Sequence, residues 1–438
     1  QGVFGRINYD YKGKYLLEAN VRYDGSSRFA SGNKWGVFPS FSVGWRISEE
    51  AFWEPAKNVI DNLKLRASWG QLGNQNIGDN YPFSSVVDLT GKYVFDKSVH
   101  TGASISNLAN KRITWETTTV TDVGLDLTLG GKLNISADYF YKVTDDILLK
   151  LDVPLTIGMA APQQNAGKVE NKGWEVGITY ADHVGDFNYR IGANISDVKN
   201  KVLDLKGIDE TGLTVNREGE EMNSLFGLEA DGFITPEDYD VEGNYLGATQ
   251  YGNFGPGDIK YKDQNGDGVI NTSDRVIIGG TIPRYTFGLS FYGEYKGLDL
   301  NLLFQGVGRA NGYINEHGII PFYMGGTAQE MHKDYWREDN RDALFPRLAF
   351  NEVNNNQNSS FWIRNAAYLR LKNIQIGYTF PQKWISKAHF SFLRFYLSVD
   401  NLLTFDNFWD SYDVEAPVGN GGFYPQMKTF SLGLDVRF

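Results

Sequence analysis

Lys428–Phe438 reads KTFSLGLDVRF. Phe430, Leu432, Leu434, Val436 and Phe438 fall on one parity, and Ser431, Gly433, Asp435 and Arg437 on the other. A period of two describes a strand with one apolar and one polar face. Taken alone, such a segment fits any half-buried sheet. Its recurrence along the chain, and what lies between the copies, decides the fold.

The alternation recurs at Gly2–Tyr11, Lys14–Asp24, Trp35–Ser48, Asp61–Gln71, Thr114–Leu129 and Lys132–Asp146. It continues at Asn171–Asp182, Asp186–Val198, Pro283–Lys296, Leu298–Arg309, Ala366–Phe380 and Ser391–Thr404, and ends at Lys428–Phe438. These thirteen predicted strands each approach or exceed the ~9–11 residues that cross a bilayer at a tilt, whereas globular strands average only ~5–6. Trp35 and Trp45 share a parity within one strand. With ~3.4 Å per residue and a tilt of ~40°, they stand roughly 26 Å apart along the membrane normal. The lipid-facing band between the aromatic girdles of a membrane barrel is ~25 Å tall. The opposite parity carries Glu18, Asn20, Arg22, Lys64, Arg66, Asn194, Asp299 and Gln305. A soluble sandwich turns its apolar face to a second sheet and needs no strands of this length.

Connections alternate in length. Lys12-Gly13, Gly130-Gly131, His183-Val184-Gly185 and Gly297 are short. Those at 72–113, 147–170, 199–282, 310–365 and 405–427 are long. Outer-membrane barrels pair short periplasmic turns with long extracellular loops, which puts the last strand's Phe438 at the periplasmic rim. An odd number of strands cannot close a fully antiparallel barrel. The expectation is therefore an all-β, transmembrane antiparallel β-barrel of which residues 1–438 are the C-terminal part, with the first strands preceding Gln1.

Composition agrees. Only 41% of the 438 residues are hydrophobic, and no apolar run reaches the ~20 residues of a membrane helix. A β-barrel dilutes its apolar residues by alternation and needs no such run. The net charge of −11 argues against nucleic acid as a partner. With no cysteine there is neither a disulfide framework nor a thiolate metal site.

Several stretches resemble the C-terminal barrel half of SusC/RagA-type TonB-dependent transporters of Bacteroidetes. They are Tyr15–Ser40 (YLLEANVRYDGSSRFASGNKWGVFPS), Asn62–Asn76 (NLKLRASWGQLGNQN), Thr114–Asp126 (TWETTTVTDVGLD) and Val169–Trp174 (VENKGW). Tyr368–Tyr378 (YLRLKNIQIGY), Phe395–Leu403 (FYLSVDNLL) and Leu432–Phe438 match as well, in the same order. The resemblance implies a barrel of about 22 strands with a plugged lumen, set in the lipid of the bacterial outer membrane. It further implies an N-terminal plug preceding Gln1, a SusD-type lipoprotein lid, energy from the TonB complex through that plug, and import of glycans or peptides.

One motif suggests a cofactor. Asp263–Asp274 (DQNGDGVINTSD) fits the twelve-residue calcium loop. Asp263, Asn265 and Asp267 offer side-chain oxygens, Val269 its carbonyl, and Asn271 a direct or water-bridged contact. Asp274 stands where Glu is usual, with a shorter reach. A calcium ion stiffening an extracellular loop is one reading; a Gly/Asp/Asn-rich turn without an ion is the other. The flanking residues do not form a helix–loop–helix pattern.

Aromatic residues in the long connections are candidate substrate contacts: Trp336, Trp362, Trp409, Tyr412 and Tyr424. Such rings stack on sugar faces or grip apolar peptide side chains, or simply pack the loops. Asp406, Asp410, Asp413 and Glu415 accompany the last group and read as a solvated loop. No catalytic set is expected. His100, His183, His317, His332 and His389 show no metal-ligand spacing, and no phosphate-cradling loop is present. The leading expectation is an importer. The alternatives are an outer-membrane barrel enzyme, such as a protease or lipase, and a soluble calcium-binding β adhesin.

Overall fold

Period-two alternation produces strands wherever both faces find a compatible medium. The computed structural model describes residues 1–77, 80–105, 108–151, 154–207, 212–350 and 353–438. Thirteen strands form one antiparallel sheet whose neighbours follow chain order. They are β1 Gly2–Tyr11, β2 Tyr15–Gly25, β3 Trp35–Arg46, β4 Ile60–Asn74, β5 Glu116–Leu129, β6 Leu133–Lys150 and β7 Gln163–Val184. Then come β8 Phe187–Asp204, β9 Arg284–Tyr295, β10 Leu298–Arg309, β11 Tyr368–Thr379, β12 Phe392–Asp406 and β13 Thr429–Arg437. All thirteen coincide with predicted segments.

Register makes the two faces visible. Between β2 and β3, Tyr15 lies opposite Trp45, Leu17 opposite Val43, Ala19 opposite Phe41 and Val21 opposite Pro39. The intervening pairs include Glu18 with Ser42 and Asn20 with Ser40. A one-residue slip would exchange the faces completely, so the pattern fixes the register. The large apolar residues of the first set are exposed, as are Val123 of β5, Tyr139 of β6, and Phe430, Leu432 and Leu434 of β13. A contiguous exposed apolar face is costly in water and is the normal outer surface of a barrel in lipid. Tyr23 stacks on Trp35 at 4.7 Å near one end of this face. At the other end, Tyr15 and Trp45 both donate to the Glu50 carboxylate, at 2.6 and 3.2 Å.

The turn between β1 and β2 is built from Lys12 and Gly13, with φ of 56° and 66°. Positive φ at both residues is what a tight antiparallel hairpin needs, and the Asp10 carboxylate accepts the Gly13 N–H at 2.7 Å.

Several strands outrun the alternation. β7 has 22 residues and starts at Gln163, well before the predicted Asn171. β6 and β8 have 18 residues each. The β7 extension begins with the polar Gln163, Gln164 and Asn165, whereas that of β6 is the unalternating Ile147, Leu148, Leu149 and Lys150. The backbone ladder continues there without an apolar stripe to reveal it, because backbone pairing is indifferent to side-chain polarity.

By compactness, the chain forms two units, residues 1–182 with 192–209 and 217–220, and residues 183–191 with 210–216 and 221–438. The first has a small core on its polar-parity side, where Phe29, Phe38, Ile77, Ile113 and Trp115 are buried together. Phe38 lies across Gly73, where any Cβ would come within 1.9 Å of the ring. The second unit has a larger core made almost wholly by its connections. It includes Leu225, Leu228, Ile259, Tyr261, Ile270, Tyr313, Ile314, Phe345, Trp362 and Trp409. The long connections are thus folded around a core of their own rather than being plain solvated loops.

Candidate functional site

The polar parity carries ion pairs rather than scattered charges. In the first unit, the Arg66 guanidinium donates to Asp126 at 2.9 and 3.0 Å and to Asp138 at 3.0 Å. Register places these side chains together: Lys64 is opposite Asp126, and Asp138 is opposite Gly124, itself opposite Arg66. A hollow of about 440 Å³ lies along this face, lined by Glu18, Lys64, Arg66 and Asp122 among others. In the second unit, Arg394 donates from Nε to Asp299 at 2.9 Å and reaches Gln375 at 3.1 Å. Such a face offers fixed donors and acceptors to water, to a polar plug or to a passing solute.

The DQNGDGVINTSD segment is a tight turn held by its own oxygens. The Asp263 carboxylate accepts the N–H groups of Gly266 and Gly268 at 2.7 and 2.8 Å. These donors hold the Asp263 carboxyl below its ordinary pKa, Gly268 contributing most. Asn265 Oδ1 accepts from Asp267 N at 2.9 Å, and Asp267 Oδ1 from Val269 N at 2.8 Å. Asn271 Nδ2 donates to the Val269 carbonyl at 3.0 Å. Asp274 is 0% exposed, and its two oxygens accept from Gln264 N and Asn271 N at 2.9 and 2.8 Å. Asp263, Asn265 and Asp267 therefore lie on one exposed turn, while Asp274 is engaged from the protein side. Among the described residues, no three acidic or imidazole groups converge on one point. The oxygens of Asp263, Asn265, Asp267 and Val269 share the exposed side of this turn, each already accepting a hydrogen bond from within it.

The five predicted aromatic contacts separate by burial. Trp362 is 1% exposed, inside the loop core, with its indole N–H donating to the Asn355 carbonyl at 3.2 Å. Trp409 is buried, stacked on Phe345 at 5.4 Å, with the Arg364 guanidinium 4.4 Å over its ring. Trp336 is buried against Gly257. Tyr412 is half-buried and donates its hydroxyl to the Gly318 carbonyl. Tyr424, at 81%, is the one left open to solvent. Trp362 and Trp409 build the loop core, Tyr412 packs against it and Trp336 is buried outside it, roles that sequence position alone does not separate from ligand contact.

Two of the acidic residues expected in a solvated loop are pinned instead. Arg370, buried on β11, donates to Glu415 at 2.8 Å and to Asp413 at 3.0 and 3.1 Å, and Lys372 reaches Glu415 at 2.7 Å. The sequence held a signal for this. Arg370 and Lys372 are two apart on the polar parity of a strand, and Asp413 and Glu415 repeat that spacing with opposite charge. A second pin joins two loops: buried Asp258 accepts from Arg347 at 2.6 and 2.7 Å and from Asn355 at 2.8 Å.

The family profile described as "TonB dependent receptor-like, beta-barrel" matches residues 1–402. TonB-dependent receptor P3 of Formosa agariphila is 32% identical over 468 aligned residues, covering 100% of this chain and 45% of the relative. TonB-dependent receptor SusC of Bacteroides thetaiotaomicron is 30% identical, covering 99% of this chain and 43% of the relative. Among solved structures, the RagAB peptide transporter superposes with a TM-score of 0.81 at 25% identity, covering 99% of this chain and 47% of that one. The RagAB peptide importer in its "open-open" state gives 0.83, covering 100% and 46%. The chain spans about half the length of the relatives it matches. These relatives are receptors and transporters and not enzymes. With its thirteen long strands, lipid-suited outer face and ion-paired inner face, the chain belongs to the TonB dependent receptor-like β-barrel family of outer-membrane proteins.

Proposed function

We propose that the chain is the C-terminal barrel portion of an importer that carries glycans or peptides across the outer membrane. The observation that carries this reading is the end-to-end likeness to SusC and to the RagAB transporter, sustained at TM-scores of 0.81 and 0.83. The charged inner face supports it, since a lumen that guides polar cargo past a plug needs fixed polar groups. A plug and further strands, coupled to TonB, complete the molecule in this reading. The test is uptake by cells carrying the whole natural gene. Uptake should require this gene and stop when an uncoupler collapses the proton gradient; uptake indifferent to the uncoupler sinks the reading.

A SusD-type surface lipoprotein serves as the lid. The connection between β4 and β5 supports this with an exposed ribbon, Lys92–Phe95 paired with Ser98–Thr101, that displays Tyr93, Val94, Phe95 and Val99 to solvent. Unpaired apolar surface of this kind marks a protein contact. Tyr93→Ser with Phe95→Ser should weaken co-purification of the lipoprotein without altering barrel stability; undiminished co-purification removes the ribbon from the interface.

Calcium at Asp263–Asp274 is a structural element of the same proposal. Hard cations take oxygen ligands at this spacing, and Asp263 is held ionised by its N–H donors. Asp263→Ala with Asp267→Ala should abolish the calcium measured in the purified protein; unchanged metal content refutes the assignment.

A further inference from the structure

The connection between β11 and β12, on the same side of the sheet as the two-residue turns, is a folded element. Gln382–Ile385 is a single helical turn, α1, and Ser386–Ala388 follows as a 3-10 turn. Ile385 is its buried anchor. The Phe390 N–H donates to the Ile385 carbonyl at 3.3 Å, and Gln382 Nε2 donates to the Phe390 carbonyl at 3.3 Å. The segment leaves and rejoins the wall on its lipid-facing parity. Phe380 packs on Tyr378, ring centroids 5.0 Å apart, and Phe390 on Phe438 at 5.3 Å. Tyr378 lies opposite the exposed Phe395, and Phe438 continues the parity of the exposed Leu432 and Leu434.

This element exposes Lys383, Trp384 and Lys387, Trp384 at 58%. Among the described residues, neither lysine has a hydrogen bond or an ion pair, and residues 380–391 contain no Asp or Glu. The lysines at the other short connections are engaged. Lys14 pairs with Glu50 at 3.1 Å, Lys57 with Glu49 at 3.8 Å, Lys132 with Asp182 at 2.8 Å and Lys296 with Asp186 at 3.4 Å. Lys12 lies 5.3 Å over the Tyr11 ring. Two uncompensated cations thus flank an open indole at the margin of the lipid-facing wall.

We propose that this turn binds the headgroup of an anionic phospholipid in the periplasmic leaflet, with the two ammonium groups on the phosphodiester and Trp384 at headgroup level. Indole rings concentrate at the membrane–water interface, where their apolar body and their N–H each find a suitable medium. Lysines beside a bilayer favour acidic lipid, by about fivefold for each cation. Continuity with the lipid-facing wall favours a lipid over a periplasmic protein. The two free charges favour an acidic lipid over a zwitterionic one. The site is independent of what the barrel imports.

The experiment uses the complete natural protein in phosphatidylcholine nanodiscs. Indole fluorescence is quenched with rising fractions of phosphatidylglycerol or of phosphatidylcholine, each brominated near the headgroup end of its acyl chains. The Trp384 signal is the difference between a protein and its Trp384→Phe variant, taken for the parent and for Lys383→Gln with Lys387→Gln. Heat-modifiable gel migration verifies that each barrel is folded. In the parent, half-quenching of that signal should need a fraction of phosphatidylglycerol about fivefold or more below that of phosphatidylcholine. The double lysine substitution should bring the two fractions together. Equal quenching by the two lipids in the parent, or a preference that survives the lysine substitutions, overturns the inference. A Trp384 signal quenched by neither lipid overturns it as well and leaves the turn to a soluble periplasmic partner.

Discussion

His332 shows how one residue sets a condition on the loops. It is buried, its Nε2 lies 2.8 Å from the Ile319 carbonyl, and its Nδ1 accepts the Gln329 N–H at 2.8 Å. That pairing requires the neutral ring with the proton on Nε2. Burial pushes its pKa below the ordinary 6.5, the Ile319 carbonyl opposing in part. The unfolded chain therefore takes up a proton that the folded one resists. Stability from this group is complete above about 6.5 and is lost as pH falls from there toward the lower folded value. Amide-exchange protection factors in residues 319–332, taken relative to intrinsic exchange at each pH, should fall between pH 7 and pH 5, and His332→Gln should flatten that dependence; an equally steep profile in the variant assigns it elsewhere. Arg370 acts through charge rather than protonation. Its removal leaves Asp413 and Glu415 half-buried beside a single lysine, and breaking a buried ion cluster from one side costs about 3–5 kcal/mol. Arg370→Ala should expose 407–428 to limited proteolysis while β11 and β12 stay paired; intact resistance would show that Lys372 alone holds the loop.

For the strands, the two faces make opposite demands. Arginine on the lipid face of a barrel strand costs about 2–4 kcal/mol near the midplane and far less toward the lumen. Val43→Arg, on the exposed apolar face, should lower the folding free energy in lipid, read by urea titration, by that amount, whereas Ser40→Arg, on the polar face, should leave it nearly unchanged. Equal effects would mean that the faces are misassigned. This alternation is why all thirteen strands were legible in sequence. Lipid on one side and polar groups on the other write every strand into the parity of its residues, as Tyr15/Trp45 and Glu18/Ser42 illustrate. The extensions of β6, β7 and β8 were not legible, because no period-two stripe marks them: Ile147–Leu149 run apolar without alternation and Gln163–Asn165 are polar throughout. The loop core escaped for a related reason. Trp336, Trp362 and Trp409 have no local period that separates a packed ring from one waiting for a ligand, and only long-range contacts such as Trp409 on Phe345 do so. Even so, the DQNGDGVINTSD turn was visible residue by residue, since its spacing is set by local backbone geometry.

At the scale of the whole molecule, β1 and β13 end the sheet order, each paired with a single neighbour. A sheet edge presents unpaired N–H and C=O groups, and in hydrocarbon these find no water. The chain expressed alone in detergent should self-associate, by light scattering, into species larger than a monomer; the complete natural protein should be monodisperse. A stable monomer from these residues alone would mean that the edges are satisfied in some other way. The loop core bears on how such a sheet assembles in time. β9 and β10 meet across the two-residue turn Lys296-Gly297, but β10 and β11 meet only after residues 310–367 have been looped out. Closing a loop some thirty times longer adds about 3 kcal/mol of entropic cost, which falls on the rate before any pairing returns it. Tyr313, Ile314, Phe345 and Trp362 of that same loop pack in one core, which shortens the stretch of free chain between its ends. Contacts inside the loop core thus offset part of the entropic cost of pairing β10 with β11.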